Sequence, residues 1–330
     1  MRVVVTGGAG FIGSRLVSAL LAQGSLKDSN CIEHEITQIC VADVGEPLQP
    51  LPDDRRIETR YGDFSDPGAA QQLLQRDTRV VFHLAAVVSG QAEQEFDLGM
   101  RINLDGTRRL LDACRELPQP PRFLFSSSVA VYGGDMPAVI RDDTPVCPQT
   151  SYGSQKAGCE MLINDYSRKG YVDGRALRLP TIVVRPGKPN AAASSFASAV
   201  LREPLQGTEV ICPIKADTGL WVLSPRRVVG GFLHAASLPA EAWGVNRTVM
   251  LPGITVSVAD MLDALREVAS ARVAERVKFE PDPFIEKIVY GWPATFAAER
   301  STGMGFVADQ NITEIIEAFI EDELGGQYVE

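Results

Sequence analysis

The stretch TGGAGFIG, residues 6–13, joins an apolar run, RVVVT at 2–6, to an amphipathic run at 11–23. The first run is rich in β-branched residues and predicts a buried strand, whereas the second has the apolar spacing of a helix. A glycine turn between a strand and a helix brings backbone N–H groups to the positive end of the helix dipole, so it predicts a pyrophosphate site. The first glycine permits the turn, the second lets the backbone approach the phosphates, and the third lets the helix pack on the strand. The residues predicted to form this cradle are Gly7, Gly10, Phe11, Ile12 and Gly13.

Short apolar runs alternate with helical stretches, among them 66–75 and 97–117, over the first half of the chain. This alternation predicts strands buried on both faces with helical crossovers, and hence an α/β fold with a doubly wound parallel sheet, the Rossmann fold. Beyond Pro186 the chain becomes rich in Pro, Gly and Ala, and its helices are expected to be shorter. We therefore expect a cofactor-binding domain over 1–186 and a smaller, mixed α/β substrate-binding lobe over 187–330. Segments near 219–237 are expected to return to the first domain.

The composition argues against several classes of protein. The 330 residues include 32 basic and 42 acidic ones, a net charge of −10, so we expect no nucleic-acid surface, which needs clustered Lys and Arg. No apolar run reaches the roughly 18 residues of a membrane span, and the N-terminus does not resemble a signal peptide. The six cysteines form no C-x-x-C pair and the three histidines stand far apart, so no metal site is predicted. We expect a cytoplasmic protein without a membrane partner.

Dinucleotide binding also needs an acid at the end of the second strand, where it hydrogen-bonds the adenosine ribose. Asp43, in CVADV, meets this requirement, although it lies 30 residues after Gly13 rather than the usual gap of about 20. A polar insertion at 25–34 would account for the difference. A carboxylate in this place repels a 2′-phosphate, so the sequence favours NAD over NADP. Asp63, in YGDFSD, either accepts from the adenine amino group or is a residue of a surface turn.

The segment YGSQK, residues 152–156, places a phenol and an ammonium one helical turn apart on the same face. Tyrosine is a poor base at neutral pH because its ordinary pKa is about 10, but a nearby lysine favours the phenolate. Three serines, 126–128, end a predicted strand at the edge where open α/β sheets bind ligands, although serines there can also be turn formers. We predict that Tyr152 is an acid or base activated by Lys156, and that Ser127 and Ser128 contact the substrate.

Five motifs together resemble the extended short-chain dehydrogenase/reductase superfamily, of the NAD-dependent epimerase/dehydratase type: TGGAGFIG, HLAA (83–86), NLDGT (103–107), FSSSVAVYG (125–133) and YGSQK. They occur in order over essentially the whole chain. The resemblance implies that Ser128 positions the substrate oxygen, that Tyr152 moves its proton, and that Lys156 also binds the nicotinamide ribose. It further implies a homodimer. The other residues predicted at the cofactor are Leu84, Ala85, Ala86, Asn103 and Thr181.

The resemblance implies a nucleotide-sugar epimerase or dehydratase first, since most extended members are of these kinds. Dehydratases carry an acidic pair just after the serine position, where this chain has Val129 and Ala130, so elimination of water would lack its acid and base. Longer segments, among them VVSGQAEQEFDLGM (87–100) and GLWVLSPRRVV (219–229), resemble a narrower group, the D-erythronate dehydrogenases. That resemblance implies NAD-dependent oxidation of the C2 hydroxyl of a four-carbon sugar acid.

A small anionic sugar acid needs a guanidinium and hydroxyl donors rather than a groove for a nucleotide. Arg185, after the strand expected to border the nicotinamide, and Arg226 are the two candidates to pair with the carboxylate. Asn190 and Ser194 lie in the loop predicted to cover the substrate. A nucleotide-sugar epimerase that retains tightly bound NAD is the alternative interpretation.

Overall fold

The computed structural model describes residues 1–47, 50–66, 68–187 and 194–330. Its strands, numbered in chain order, are β1 (Arg2–Thr6), β2 (Ser25–Lys27), β3 (Glu33–Glu35), β4 (Gln38–Asp43), β5 (Ile57–Tyr61), β6 (Thr78–His83), β7 (Arg122–Ser128), β8 (Ile140–Arg141), β9 (Asp173–Leu179), β10 (Thr181–Ile182), β11 (Val210–Cys212), β12 (Gly219–Leu223), β13 (Thr248–Met250), β14 (Ile254–Ser257), β15 (Val277–Phe279) and β16 (Phe296–Ala297). Its α-helices are α1 (Phe11–Gln23), α2 (Ser89–Gln94), α3 (Phe96–Gly99), α4 (Thr107–Arg115), α5 (Ser151–Arg168), α6 (Ser195–Leu205), α7 (Pro225–Ser237), α8 (Val258–Val268), α9 (Ala271–Ala274), α10 (Pro283–Val289), α11 (Glu299–Gly303) and α12 (Ile312–Leu324). Within these ranges, no helix has both the length and the apolarity that a membrane span requires.

The chain forms two compact units and passes between them several times. The first unit consists of Met1–Ser128, Thr150–Arg178 and Val229–Val249, and the second of Val129–Gln149, Leu179–Val228 and Met250–Glu330. Strand β12, expected to return to the first domain, belongs to the second unit, because it pairs with β10 and β14 and buries Leu220 and Val222 in that unit's core. The returning segment begins instead at Val229, within α7.

A seven-stranded sheet in the order β13-β9-β7-β6-β1-β4-β5 confirms the predicted α/β class. Strand β1 pairs in parallel with β4 and β6, β4 with β5, and β6 with β7. All five residues of β1 are buried, as its β-branched sequence predicts for a central strand. The chain builds outward from β1 to β4 and β5 and then crosses to β6 on the other side. The order therefore reverses beside β1, and open α/β sheets bind ligands at the carboxyl ends of the strands at such a point.

The polar insertion expected at 25–34 is a β-hairpin, in which β2 and β3 pair antiparallel. The Asp28 carboxylate closes its turn by accepting from the N–H groups of Asn30 (2.9 Å) and Ile32 (3.1 Å), and it contacts His34 Nε2 at 3.0 Å. Since the hairpin lies between α1 and β4, it lengthens the chain from the glycine turn to Asp43 while β1 and β4 still pair.

Two helical segments differ from expectation. The stretch predicted as helical at 66–75 contains a short 3₁₀ turn, Ala70–Leu73. The long helix predicted at 97–117 is present, but a π-helical segment, Met100–Gly106, separates α3 from α4. Such segments recur at functional sites because they redirect side chains and free backbone carbonyls. This one carries Asn103, whose carbonyl accepts from the Thr107 hydroxyl (2.6 Å).

The second unit has its own apolar core. Its three-stranded sheet, β10-β12-β14, packs with α6, α8 and α12 around buried aliphatic residues such as Leu201, Met261 and Ile316. Two further strand pairs, β11 with β15 and β8 with β16, complete its described β-structure.

Candidate active site

The glycine turn follows β1 at the point where the sheet order reverses. Gly7 has φ +68°, and a Cβ there would lie 2.7 Å from the backbone nitrogen of Ala85, so both the conformation and the space require glycine. A Cβ on Gly13 would overlap the carbonyl oxygen of Gly7, so α1 packs directly on the turn. Helix α1 begins after Gly10 with no side-chain cap and no acidic residue in its first turn. Its N–H groups and dipole therefore suit an anion, as the pyrophosphate of a dinucleotide requires.

Asp43 ends β4, the strand beside β1. Its Oδ2 accepts from the Ala9 N–H (3.0 Å) and its Oδ1 from the Val44 N–H (2.8 Å). The Gly8 N–H donates to the Ala42 carbonyl (3.3 Å). These bonds hold the carboxylate against the glycine turn, where the adenosine ribose of a dinucleotide binds in this kind of sheet.

Asp63 lies just after β5, the next strand of the sheet. Its Oδ1 accepts from the Ser65 N–H (2.9 Å), and its Oδ2 pairs with the Arg101 guanidinium. A carboxylate offers about four acceptor positions. The contacts with Ser65 and Arg101 orient the carboxylate of Asp63 and leave it able to accept from an adenine amino group as well.

His83, the last residue of β6, is buried and connects the ends of two elements. Its Nδ1 lies 2.6 Å from Thr6 Oγ1 and its Nε2 2.9 Å from Thr107 Oγ1. Because the Thr107 hydroxyl donates to the Asn103 carbonyl, it accepts from Nε2–H, and Nδ1 accepts from Thr6. This arrangement needs a neutral ring. Burial, together with the charge of Lys156, lowers the pKa of His83 to about 3.

The Asn103 side chain holds the segment that follows His83. Its Oδ1 accepts from the Val87 N–H (2.7 Å), and its Nδ2 donates to the Val87 carbonyl (3.1 Å) and to Gln155 Oε1 (2.7 Å). These bonds direct the amide into the protein, so Asn103 shapes the loop rather than offering its amide to a cofactor. The segment held between β6 and Val87 consists of the predicted cofactor residues Leu84, Ala85 and Ala86.

Helix α5 carries the predicted acid–base pair. Thr150 caps its N-terminus by accepting from the Gly153 N–H (3.1 Å). Lys156 is 1% exposed, and its Nζ donates to the Ser126 carbonyl at the end of β7 (2.7 Å) and lies 5.5 Å from the centre of the Tyr152 ring. Burial lowers the pKa of Lys156 to about 8, because an interior disfavours the charged form. The structure therefore brings Tyr152 and Lys156 together at the edge of the sheet that is expected to bind ligands.

The two predicted serines have different surroundings. Ser128, the last residue of β7, is half-buried. Ser127 is buried and donates from Oγ to Glu160 Oε1 (2.5 Å), a carboxylate that Arg178 also holds. Successive side chains of a strand point to opposite faces, so the hydroxyl of Ser127 is directed to α5. The structure does not support the predicted substrate contact of Ser127.

Thr181 and Ser194 lie in the second unit. Thr181 is in β10, where it pairs with Val222 of β12, and Ser194 immediately precedes α6. Asn190 lies outside the described residues.

The two candidate arginines differ in their partners. Arg226 is exposed and binds Asp322 through Nη2 (2.6 Å) and Nε (2.8 Å) and Glu321 through Nη2 (2.7 Å). These bonds raise the pKa of its guanidinium. Arg185 donates from Nε to the carbonyl of Ile182 (3.2 Å), an acceptor without net charge. Because two carboxylates already balance the charge of Arg226, the structure does not favour it as the partner of a substrate anion.

Three residues of the site have no role predicted from the sequence: Gln155, Glu160 and Arg178. Glu160 could have been found by periodicity, because it follows Lys156 by one helical turn on the same face. In the part of the chain that the structure describes, no group of His, Cys, Asp and Glu could hold a metal ion.

A comparison with models of protein families finds a match to one family. Residues 3–217 match the model described as the NAD dependent epimerase/dehydratase family. The match includes the glycine turn, Asp43, the segment after β6 and the Tyr152–Lys156 pair.

Two curated relatives match along nearly the whole chain. The D-erythronate dehydrogenase of Cupriavidus necator is 53% identical over 323 residues, 98% of either chain. The D-erythronate dehydrogenase of Haemophilus influenzae is 44% identical over 324 residues, 98% of this chain and 100% of the relative. A crystal structure of the nucleoside-diphosphate-sugar epimerase from Agrobacterium tumefaciens is 42% identical, has a TM-score of 0.93 and covers 99% of this chain and 95% of that one.

We predict that Asp43→Asn weakens NAD binding by about tenfold and leaves NADP binding unchanged or tighter. The carboxylate accepts from the ribose and repels a 2′-phosphate, and asparagine loses the charge while keeping the shape. Titration of each dinucleotide against the quenching of protein fluorescence gives both dissociation constants. Asp63→Asn, on the neighbouring strand, is the control and should affect both dinucleotides alike. An equal loss for both in Asp43→Asn would contradict the assignment.

We predict that His83 makes the protein sensitive to acid. Its pKa is about 3 when folded and about 6.5 when unfolded, so the unfolded chain binds the proton more tightly. The contribution of neutral His83 to the free energy of unfolding is complete above the pKa of this group in the unfolded chain, and it is lost as the pH falls towards 3. By pH 5 the free energy of unfolding should have fallen by about 2 kcal/mol. Urea unfolding over this pH range should show the loss in wild type and in His34→Gln, but not in His83→Gln. A similar loss in His83→Gln would count against this interpretation.

Proposed function

The chain belongs to the NAD dependent epimerase/dehydratase family, with NAD as its cofactor, and we propose that it oxidises the C2 hydroxyl of D-erythronate to 2-dehydro-D-erythronate. The observation that carries this proposal is the pairing of Tyr152 with a buried Lys156 at the carboxyl end of β7. Two relatives at 53% and 44% identity, both named D-erythronate dehydrogenases, support the choice of substrate. The protein is an NAD-dependent dehydrogenase that acts on a CH–OH group.

Proton transfer is the task of Tyr152. As a phenolate it accepts the proton of the C2 hydroxyl, and the ammonium of Lys156 beside the ring favours that charged form. The amine is held by the Ser126 carbonyl (2.7 Å), so its position relative to the ring is fixed before the substrate arrives. A fixed charge of this kind needs no rearrangement during the reaction.

Ser128 orients the substrate. It ends the strand that anchors Lys156, where its hydroxyl would hydrogen-bond the same C2 oxygen that Tyr152 deprotonates and so fix the orientation of the substrate. Bound NAD⁺ supplies the chemistry that the side chains lack, the acceptance of a hydride. The glycine turn, Asp43 and the segment 84–86 are the residues that hold it.

Recognition of the carboxylate is the proposed role of Arg185. Arg226 already binds two carboxylates, which leaves Arg185 as the other arginine that the sequence suggests for this role. Ser194 and Asn190 are proposed to donate to the sugar hydroxyls. Homodimer formation and a cytoplasmic location stay predictions from the sequence.

A nucleotide-sugar epimerase is the second candidate, because the structural relative at 42% identity is named as one. An epimerase retains its cofactor and gives no net redox change. The two candidates therefore differ in whether a substrate releases NADH into solution.

We predict that the protein forms NADH from NAD⁺ and D-erythronate, and that Tyr152→Phe lowers the turnover number by about 10³-fold with an unchanged dissociation constant for NAD. The phenylalanine keeps the ring and loses the group that takes the proton. Absorbance of NADH is followed with a panel of four- to six-carbon sugar acids and a panel of nucleotide sugars, and it gives the substrate and the turnover number. Fluorescence titration gives the dissociation constant for NAD. Epimerisation of a nucleotide sugar without NADH release would reject the dehydrogenase.

We predict that Arg185→Gln raises KM for the sugar acid by about tenfold or more, with a smaller effect on kcat, because it removes a charge that binds the carboxylate before and during the reaction. Arg226→Gln is the matched control and should change KM by less than about twofold. Steady-state kinetics with NAD⁺ in excess give both values. A large rise in KM for Arg226→Gln and a small one for Arg185→Gln would show that Arg226 binds the carboxylate instead.

A further inference from the structure

A buried carboxylate joins helix α5 to two strands of the sheet. Glu160, one turn after Lys156, is 3% exposed. Its Oε1 accepts from Ser127 Oγ in β7 (2.5 Å) and from Arg178 Nε in β9 (2.9 Å), and its Oε2 accepts from Arg178 Nη2 (2.6 Å). Strands β7 and β9 are neighbours in the sheet, so one side chain of the helix is bonded to two adjacent strand ends.

Lys156 provides a second bond between the same helix and the same strand. Its Nζ donates to the Ser126 carbonyl (2.7 Å). Lys156 and Glu160 are one turn apart on α5, and their partners Ser126 and Ser127 are consecutive residues of β7. Two bonds at neighbouring points prevent the helix from both sliding along the strand and rotating against it.

We propose that Glu160 is a positioning residue for the oxidation. By bonding Ser127 and Arg178 at once, it fixes α5 against two strands. The hydroxyl groups of Tyr152, on the helix, and Ser128, the next residue of β7, are thereby kept at the separation that one substrate oxygen requires. Catalysis depends on such geometry, since a misplacement of about 1 Å can lower the rate by roughly 100-fold. The inference rests on the proposed roles of Tyr152 and Ser128.

Glu160 also contributes to the charge balance around the acid–base pair. The titratable groups around Lys156 are Tyr152, Cys159 and Glu160 on α5, His83 on β6, and Arg178 on β9 through its pairing with Glu160. His83 is neutral, and the charges of Glu160 and Arg178 balance each other. Loss of the carboxylate would leave a positive charge that favours the phenolate of Tyr152, whereas loss of the guanidinium would leave a negative charge that disfavours it.

Ser127→Ala tests the geometric part, with Tyr166→Phe as its matched control. Tyr166 also lies on α5, and its hydroxyl donates to Asp112 Oδ1 on α4 (2.5 Å), so each variant removes one hydroxyl bonded to a carboxylate at this helix. Both should lower the melting temperature. We expect kcat to fall about tenfold in Ser127→Ala with KM for NAD nearly unchanged, and to stay at the wild-type value in Tyr166→Phe. Equal kcat values for the two variants would overturn the proposal.

A second measurement needs no substrate. Tyrosinate absorbance, after subtraction of the same variant carrying Tyr152→Phe, reports the ionisation of Tyr152 as the pH is raised. We expect Glu160→Gln to move the midpoint to lower pH and Arg178→Gln to move it to higher pH, each by about one unit. Two unchanged midpoints, or two shifts in the same direction, would overturn the electrostatic part.

The two experiments also separate this inference from the proposed function. If no sugar acid yields NADH, the choice of substrate fails, but opposite shifts of the tyrosinate midpoint would still support the role of Glu160. If Glu160→Gln does not fold, Ser127→Ala and Arg178→Gln decide the question, since each changes one of the two residues to which Glu160 is bonded.

Discussion

The amine of Lys156 lies in the interior of the protein, and only 1% of the residue is exposed to solvent. A cation is costly in such a place unless protein groups replace its hydration. Here the Ser126 carbonyl accepts from it, the Phe125 ring lies 4.5 Å from it, and the Glu160 carboxylate favours its charged form. Because these groups belong to β7 and α5, the need to satisfy one amine determines how the helix seats on the strand. The position of Tyr152 follows from that seating.

The same requirement explains why the neighbouring histidine is kept neutral. A protonated His83 would place a second positive charge near Lys156, and its Nδ1 could no longer accept from Thr6. The neutral ring instead links the end of β1 with the start of α4 through two hydroxyl groups. The segment 84–86, which lies between His83 and the Val87 backbone bonded by Asn103, is therefore held by neutral hydrogen bonds. The positive charge in this region is at Lys156, where it stabilises the phenolate of Tyr152.

Much of this arrangement could be predicted because it depends on residues that are close in sequence. The glycine turn needs a strand, a turn and a helix in succession, and the Tyr152–Lys156 pair needs one helical turn. The role of Ser127 could not be predicted in this way, because three consecutive serines at a strand end do not reveal which hydroxyl faces the helix. Its partner Glu160 lies 33 residues away. The partners of Arg226 are 95 and 96 residues away, beyond any periodicity that the sequence displays.

A net charge of −10 makes an anionic substrate seem unsuitable for this protein, but binding depends on the field inside a site rather than on the total charge. A guanidinium attracts an anion only if its own partner leaves its charge uncompensated. Carboxylates orient Arg226 and compensate its charge, so this arginine presents only a weak field to a substrate anion. The total charge and the local field are therefore separate properties: surface carboxylates compensate Arg226, while the buried amine of Lys156 keeps positive charge at the carboxyl end of β7.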